Sequence, residues 1–287
     1  MRFDGSKDKH FRNKLIDRVS NDLRRLSNCS PIDRYGIAIV GSWATKEPHL
    51  IIRTQGTTVS YASYSDLDLV HEESLAQSER DELLEQFEQI ANIAGIRKVS
   101  LRSIDDYKLI PHGATWICTA PIRSDPNHSA FLAFWFLVSC TEAIALERRE
   151  GRCIATLHYS LAKSLYALLR NVAFIRGDFP KSYMQINRVF SGPLGLPLLA
   201  AAYHIKLGIG CAGDPVLKQF FQQDIAKFLR SLPYSISGEA AALISEYALD
   251  FSNGTLCVNL VLDAMATTAC SESMRGVVAY QTAKLKK

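Results

Sequence analysis

Residues 65–70 read Ser-Asp-Leu-Asp-Leu-Val, and this alternation constrains the fold more than any other stretch of the chain. On a strand, residues i and i+2 face the same way. Leu67 and Leu69 would enter a core, while Asp66 and Asp68 project together from the opposite face. Two carboxylates side by side on a half-buried strand repel and lose hydration unless a cation lies between them. Mg²⁺ suits such a pair, because it takes hard oxygen ligands and fills its other positions with water and phosphate oxygens. An edge strand with a merely solvated outer face gives the same pattern. The pair alone leaves both readings open.

The segments around the pair supply a scaffold. Phe11, Leu15, Val19, Leu23 and Leu26 recur at helical spacing and predict an amphipathic opening helix. Residues 35–40, Tyr-Gly-Ile-Ala-Ile-Val, predict a central strand that ends at Gly41-Ser42, with a helix or turn beginning at Trp43-Ala44. Leu50–Arg53 and Thr57–Tyr61, either side of Thr54-Gln55-Gly56, suggest a β-hairpin. Residues 77–94 carry Leu83, Leu84, Phe87, Ile90 and Ala91 on one helical stripe, closed by Gly95. Arg97–Leu101 and Ala114–Thr119 are further strand candidates.

From about Asn127 the texture changes to long apolar-periodic stretches, at 128–149, 152–176, 196–209, 215–231, 238–249 and 256–283. Turns are expected at Arg176–Pro180 and at Ser191-Gly192-Pro193. The expected architecture is therefore an α+β domain over residues 1–125, followed by an all-helical domain over 126–287.

Gly41-Ser42 places a residue without a side chain where a phosphate could approach the backbone, with N–H groups and a hydroxyl beside it. A strand ending in h-G-S and, after an interval, S-D-h-D-h-h resembles the polymerase-beta nucleotidyltransferase superfamily. The resemblance covers about residues 10–110. It implies a mixed sheet in the first domain, with Gly41 and Ser42 gripping a nucleoside triphosphate and Asp66 and Asp68 binding Mg²⁺. The implied chemistry is in-line transfer of a nucleoside monophosphate from an NTP, ATP being favoured, to an acceptor hydroxyl.

In the second half, His158-Tyr-Ser-Leu-Ala-Lys163 through Arg170 and on to Arg176–Ser182 looks like the helical domain of antibiotic and small-molecule nucleotidyltransferases. Lys163 and Arg170 lie seven apart and share a helix face. By this likeness Lys163 binds the triphosphate, although an ordinary solvated face fits the spacing as well.

Two departures from the superfamily pattern stand out. The Gly41–Asp66 interval is long, and the hairpin accounts for the excess; it would shape an acceptor pocket or a subunit interface, or be a tolerated surface insertion. The superfamily also places a third carboxylate on a neighbouring strand. Here Ser100 stands at that place, with Asp105, Asp106, Glu72 or Glu73 as substitutes if the register differs.

Charge and cysteine usage narrow the function classes. Net charge is +4, with 16 Lys/Arg against 11 Asp/Glu in residues 126–287 and 17 against 18 before them. An anionic acceptor suits that excess better than a cationic aminoglycoside. The seven cysteines include no CxxC pair, which argues against a zinc site or a disulfide framework. No apolar run reaches bilayer length and the first residues are charged, so a cytoplasmic location is expected. His112, His128, His158 and His204 are dispersed without metal spacing, and Phe131–Phe136 reads as helical core.

The leading expectation is a Mg²⁺-dependent nucleotidyltransferase acting on a small molecule. The alternatives are a toxin–antitoxin or defence enzyme acting on protein or RNA, and a catalytically inert nucleotide-binding protein. A nucleic-acid partner is not favoured, and a homodimer stays open.

Overall fold

A computed structural model describes residues 5–29, 35–55, 58–72, 74–103, 115–116, 135, 155–178, 180–209, 215–224, 266 and 272–285. The chain divides into two compact units, Met1–Arg123 and Ser124–Lys287. Within the described residues it is a mixed α+β protein, richer in helix than in strand.

The first unit opens with α1 (Gly5–Cys29), followed by β1 (Ala38–Val40) and the single turn α2 (Gly41–Ala44). Next come β2 (Leu50–Gln55), β3 (Thr58–Ser63), β4 (Leu67–His71), α3 (Gln77–Ile93), β5 (Val99–Ser103) and β6 (Thr115–Trp116). The main sheet runs β5-β4-β1-β6, with β4 parallel to β5 and antiparallel to β1.

Strict alternation on these strands sorts the faces. Ile37, Ile39, Leu67, Leu69, Val99 and Leu101 all belong to one buried cluster with Leu15, Ile16, Val19 and Leu23 of α1 and Leu83, Phe87 and Ala91 of α3. The helices therefore cover that face, and the described residues of each stripe read from the sequence lie in the surface that meets the sheet. Arg80 reinforces the packing, donating to the Leu101 carbonyl at 3.0 Å. Glu79 accepts from the Ala76 amide at 3.0 Å and from the Tyr35 hydroxyl at 2.7 Å, so one carboxylate caps α3 and ties it to the entry of β1.

The hairpin is a separate two-stranded sheet, paired from Leu50↔Ser63 to Gln55↔Thr58. Its strands run further toward the tip than the expected turn at 54–56 allowed. Its base is anchored to the helices. The Arg12 guanidinium, 6% exposed, donates to the carbonyls of Pro48 at 2.7 Å and Leu50 at 3.1 Å. The Tyr61 hydroxyl donates to the Ala94 carbonyl at 2.8 Å, and its ring meets Phe11 at 5.5 Å between centroids.

Every extended element described in the second unit is helical: α4 (Ala155–Ile175), α5 (Tyr183–Leu194), α6 (Leu196–Leu207), α7 (Pro215–Gln219) with a π turn at Phe220–Asp224, and α8 (Glu272–Leu285). The turn expected at Ser191-Gly192-Pro193 lies inside α5 instead. Pro193 sits one residue from the helix end, and Gly195, at φ +77°, makes the actual break. The Ser182 side chain caps the start of α5, accepting from the Gln185 amide at 3.2 Å. The helices expected at 128–149 and 238–249 fall outside the described residues, apart from Trp135. Among the described residues no helix is long and apolar enough to cross a membrane.

Candidate functional site

Pairing of β1 with β4 sets Val40 opposite Asp68, and pairing of β4 with β5 sets Asp68 opposite Ser100. The C-terminal end of β1 thus lies beside the N-terminal ends of β4 and β5. Asp66 immediately precedes β4 rather than lying within it. The Leu67 amide donates to the Lys98 carbonyl at 2.9 Å, so the ladder continues to that point. Asp66 and Asp68 are partly exposed while Leu67 and Leu69 are fully buried, which is the contrast in burial that the alternation predicts.

Gly41 completes the corner. Its φ of +68° is a left-handed conformation open to glycine at little cost. A Cβ built there would stand 3.1 Å from Asp68 Oδ2, so the missing side chain lets the carboxylate close on the turn. The helical turn starts at Gly41 itself, two residues before the expected Trp43. Ser42 lies in this turn, its carbonyl accepting from the Thr45 hydroxyl at 3.1 Å and the Glu47 amide at 2.8 Å. Behind it, buried Trp43 donates to the Ser65 carbonyl at 3.5 Å, linking the turn to the residue before Asp66.

Each carboxylate also meets a donor from the β5 side. Ser100 Oγ donates to Asp68 Oδ1 at 2.7 Å, and Lys98 Nζ stands 3.7 Å from Asp66 Oδ2. Ser100 is thus where the third carboxylate was sought, and it is a hydroxyl. Glu72 does not replace it. Its amide donates to the Tyr35 carbonyl and its side chain lies against Gly36, at the opposite end of β4 from Asp68. It lies four residue steps along the chain from Asp68, about 13 Å. Glu73, Asp105 and Asp106 fall outside the described residues.

Asp66 and Asp68 are the metal-capable pair. Among the described residues no group of three or more His, Cys, Asp or Glu side chains gathers to hold a metal ion. Two carboxylates beside an open turn still fit Mg²⁺, which retains waters and phosphate ligands instead of demanding a full protein cage. A cleft of about 230 Å³, lined among others by Asp17, Ser20, Asn21, Ile39, Trp43 and Lys46, is a different place. Ile39 points to the helical face, opposite to Val40 and Asp68.

Lys163 belongs to the second unit. It lies on α4, partly exposed, with its ammonium 4.8 Å from the centroid of Tyr159. Arg170 is 3% exposed, and its guanidinium lies over the Tyr183 ring at 5.5 Å. Lys206, equally buried, stands over both rings at 5.1 and 5.2 Å and 3.3 Å from the Tyr159 hydroxyl. The face shared by Lys163 and Arg170 is therefore packed against tyrosines. It is not the plain solvated surface that the spacing also allowed.

No protein-family model, curated protein or solved structure matches this chain.

Sequence reasoning passed over Lys98. The signal was present: Lys98-x-Ser100 repeats the i, i+2 spacing of Asp66-x-Asp68 on the strand that pairs in parallel with it. The tyrosine cluster was also missed, because Tyr183 and Lys206 reach α4 only through tertiary packing.

Proposed function

We propose that this chain is a Mg²⁺-dependent nucleotidyltransferase with a polymerase-beta-type first unit, transferring a nucleoside monophosphate from an NTP to the hydroxyl of a small-molecule acceptor. The observation that carries this reading is the contact between Gly41 and Asp68. The only glycine in the strand-to-helix turn lies against a metal-capable carboxylate, so a bound phosphate and a bound cation would share one corner. Order and direction of the strands agree with the reading, since the turn after β1 and the two acids of β4 arrive at the same sheet end.

Each residue has a distinct task in this scheme. Ser100 fixes Asp68 by occupying Oδ1, which leaves Oδ2 turned toward the Gly41 side. Asp66 and Asp68 hold the cation. Gly41 lets the phosphate approach the backbone, and Ser42 adds a hydroxyl donor. Bound Mg²⁺ would neutralise phosphate charge and favour departure of pyrophosphate. The acceptor is proposed as an anionic small molecule, in keeping with the excess of Lys and Arg in residues 126–287.

Thermal melts with ATP and GTP, with and without Mg²⁺, test the site. Asp66→Asn and Asp68→Asn should each abolish the Mg²⁺-dependent shift seen with wild type. Unchanged shifts in both variants would remove the two aspartates from any nucleotide site. Mass spectrometry after incubation with four NTPs and a metabolite extract would identify the acceptor.

Ser100 also favours a second reading, a nucleotide-binding protein without turnover, because the position opposite Asp68 offers no base. Single-turnover assays with protein in excess over labelled NTP separate the two. Binding without pyrophosphate release selects the second.

A further inference from the structure

β5 and the residue before it answer β4 position for position. Asp66 lies just before β4 and Asp68 within it, and Lys98 and Ser100 hold the matching positions just before and within the parallel neighbour β5. Both carboxylates are met, but by donors of different kinds. The Ser100 hydroxyl is short and neutral, and it holds Asp68 at 2.7 Å. The Lys98 ammonium is charged and sits on a flexible four-carbon stem. It lies at 3.7 Å from Asp66, with its side chain 64% exposed and that of Asp66 45% exposed. An ion pair that open to water is weak and readily exchanged.

We propose that Lys98 is the exchangeable cation of this site: its ammonium compensates Asp66 while no metal is bound and passes to the triphosphate when metal and nucleotide enter. This rests on the nucleotidyltransferase reading. A divalent cation drawn to Asp66 and Asp68 meets an ammonium already placed on Asp66, and the two like charges repel. Metal alone therefore binds against Lys98. A triphosphate arriving beside the two aspartates gives the ammonium a stronger anion to join. Nucleotide thus removes the opposition to metal, and metal frees Lys98 for nucleotide. The two ligands strengthen each other's binding, and the coupling is reciprocal. The requirement is for mobile positive charge, so arginine should serve and glutamine should not.

The test uses the full chain. Mn²⁺ binding is read by electron paramagnetic resonance with and without a non-hydrolysable ATP analogue, and analogue binding by calorimetry. Wild type is compared with Lys98→Gln, Lys98→Arg and Asp66→Asn. Lys98→Gln should bind Mn²⁺ alone about two- to fivefold more tightly, the range an exposed ion pair supplies. It should bind the Mn²⁺–analogue complex more weakly, so that the coupling factor falls, while Lys98→Arg keeps wild-type coupling. The position is solvent-exposed, so folding should be intact, and a thermal melt verifies it. Wild-type values for both ligands in Lys98→Gln, or weaker binding of Mn²⁺ alone, would overturn the role of Lys98 and leave the nucleotidyltransferase reading standing. Wild-type protein that binds neither Mn²⁺ nor the analogue would overturn both.

Discussion

Gly41 and Asp68 show how much one missing side chain can decide. A left-handed φ costs an alanine about 1–2 kcal/mol relative to glycine. A methyl at Gly41 would also press on Asp68 Oδ2, which must then give by a few tenths of an ångström. Gly41→Ala should therefore lower stability by about 1–2 kcal/mol in a denaturant melt and, on the proposed function, weaken Mg²⁺-dependent nucleotide binding as well. Loss of stability with wild-type nucleotide affinity would leave the glycine a purely conformational role. Ser100 acts at the same scale and in the opposite sense, restraining Asp68 where Gly41 makes room for it. Neither effect is visible from Gly41 or Ser100 alone, because both act through the register that brings three strands to Asp68.

At the level of elements, the hairpin fills most of the long interval between Gly41 and Asp66. It is firmly attached. Arg12 clamps its base and Tyr61 ties β3 to the end of α3. Burial pushes the Tyr61 phenol above its usual value near 10, with Arg18 nearby opposing the shift. A tyrosine raised on folding stays neutral in the native state at a pH where the unfolded chain ionises. Its contribution is therefore complete below about pH 10 and declines as pH rises from there through the folded value. Wild type should lose stability above pH 10 more steeply than Tyr61→Phe in melts at graded pH. Parallel curves would show that this hydroxyl does not sense its burial. The Phe variant should also be slightly less stable at neutral pH, by about 0.5–1.5 kcal/mol for the lost bond to the Ala94 carbonyl.

For the whole molecule, the division into Met1–Arg123 and Ser124–Lys287 gives each unit its own buried residues. Leu69 is fully buried in the cluster of sheet, α1 and α3, and Leu165 is fully buried on α4. Each truncation to alanine should cost about 2–5 kcal/mol, through lost burial and a residual cavity. The two residues share no cluster, so the double variant should match the sum within about 0.5 kcal/mol. A larger departure, read from denaturant curves, would reveal energetic coupling between the units.

The sequence alone determined those features that depend on local period and backbone preference. The stripes of α1 and α3, the alternation of β4 and, among the described residues, the helical character of the second unit were legible, because a period of 3.6 or 2 assigns a face without reference to distant residues. Glycine was legible where it ended an element, as at Gly95, and misleading at Ser191-Gly192-Pro193, where helical continuation to the end of α5 outweighed local breakers. Tertiary structure decided which faces meet. Asp66 and Asp68 were paired in the sequence, but only the β4–β5 register shows Lys98 and Ser100 against them, and only β1–β4 pairing brings Gly41 to Asp68. The buried cations over Tyr159 and Tyr183 belong to the same class, since the cluster is assembled from three helices, α4, α5 and α6. Such contacts follow from register and packing between separate elements, and no local periodicity carries that information.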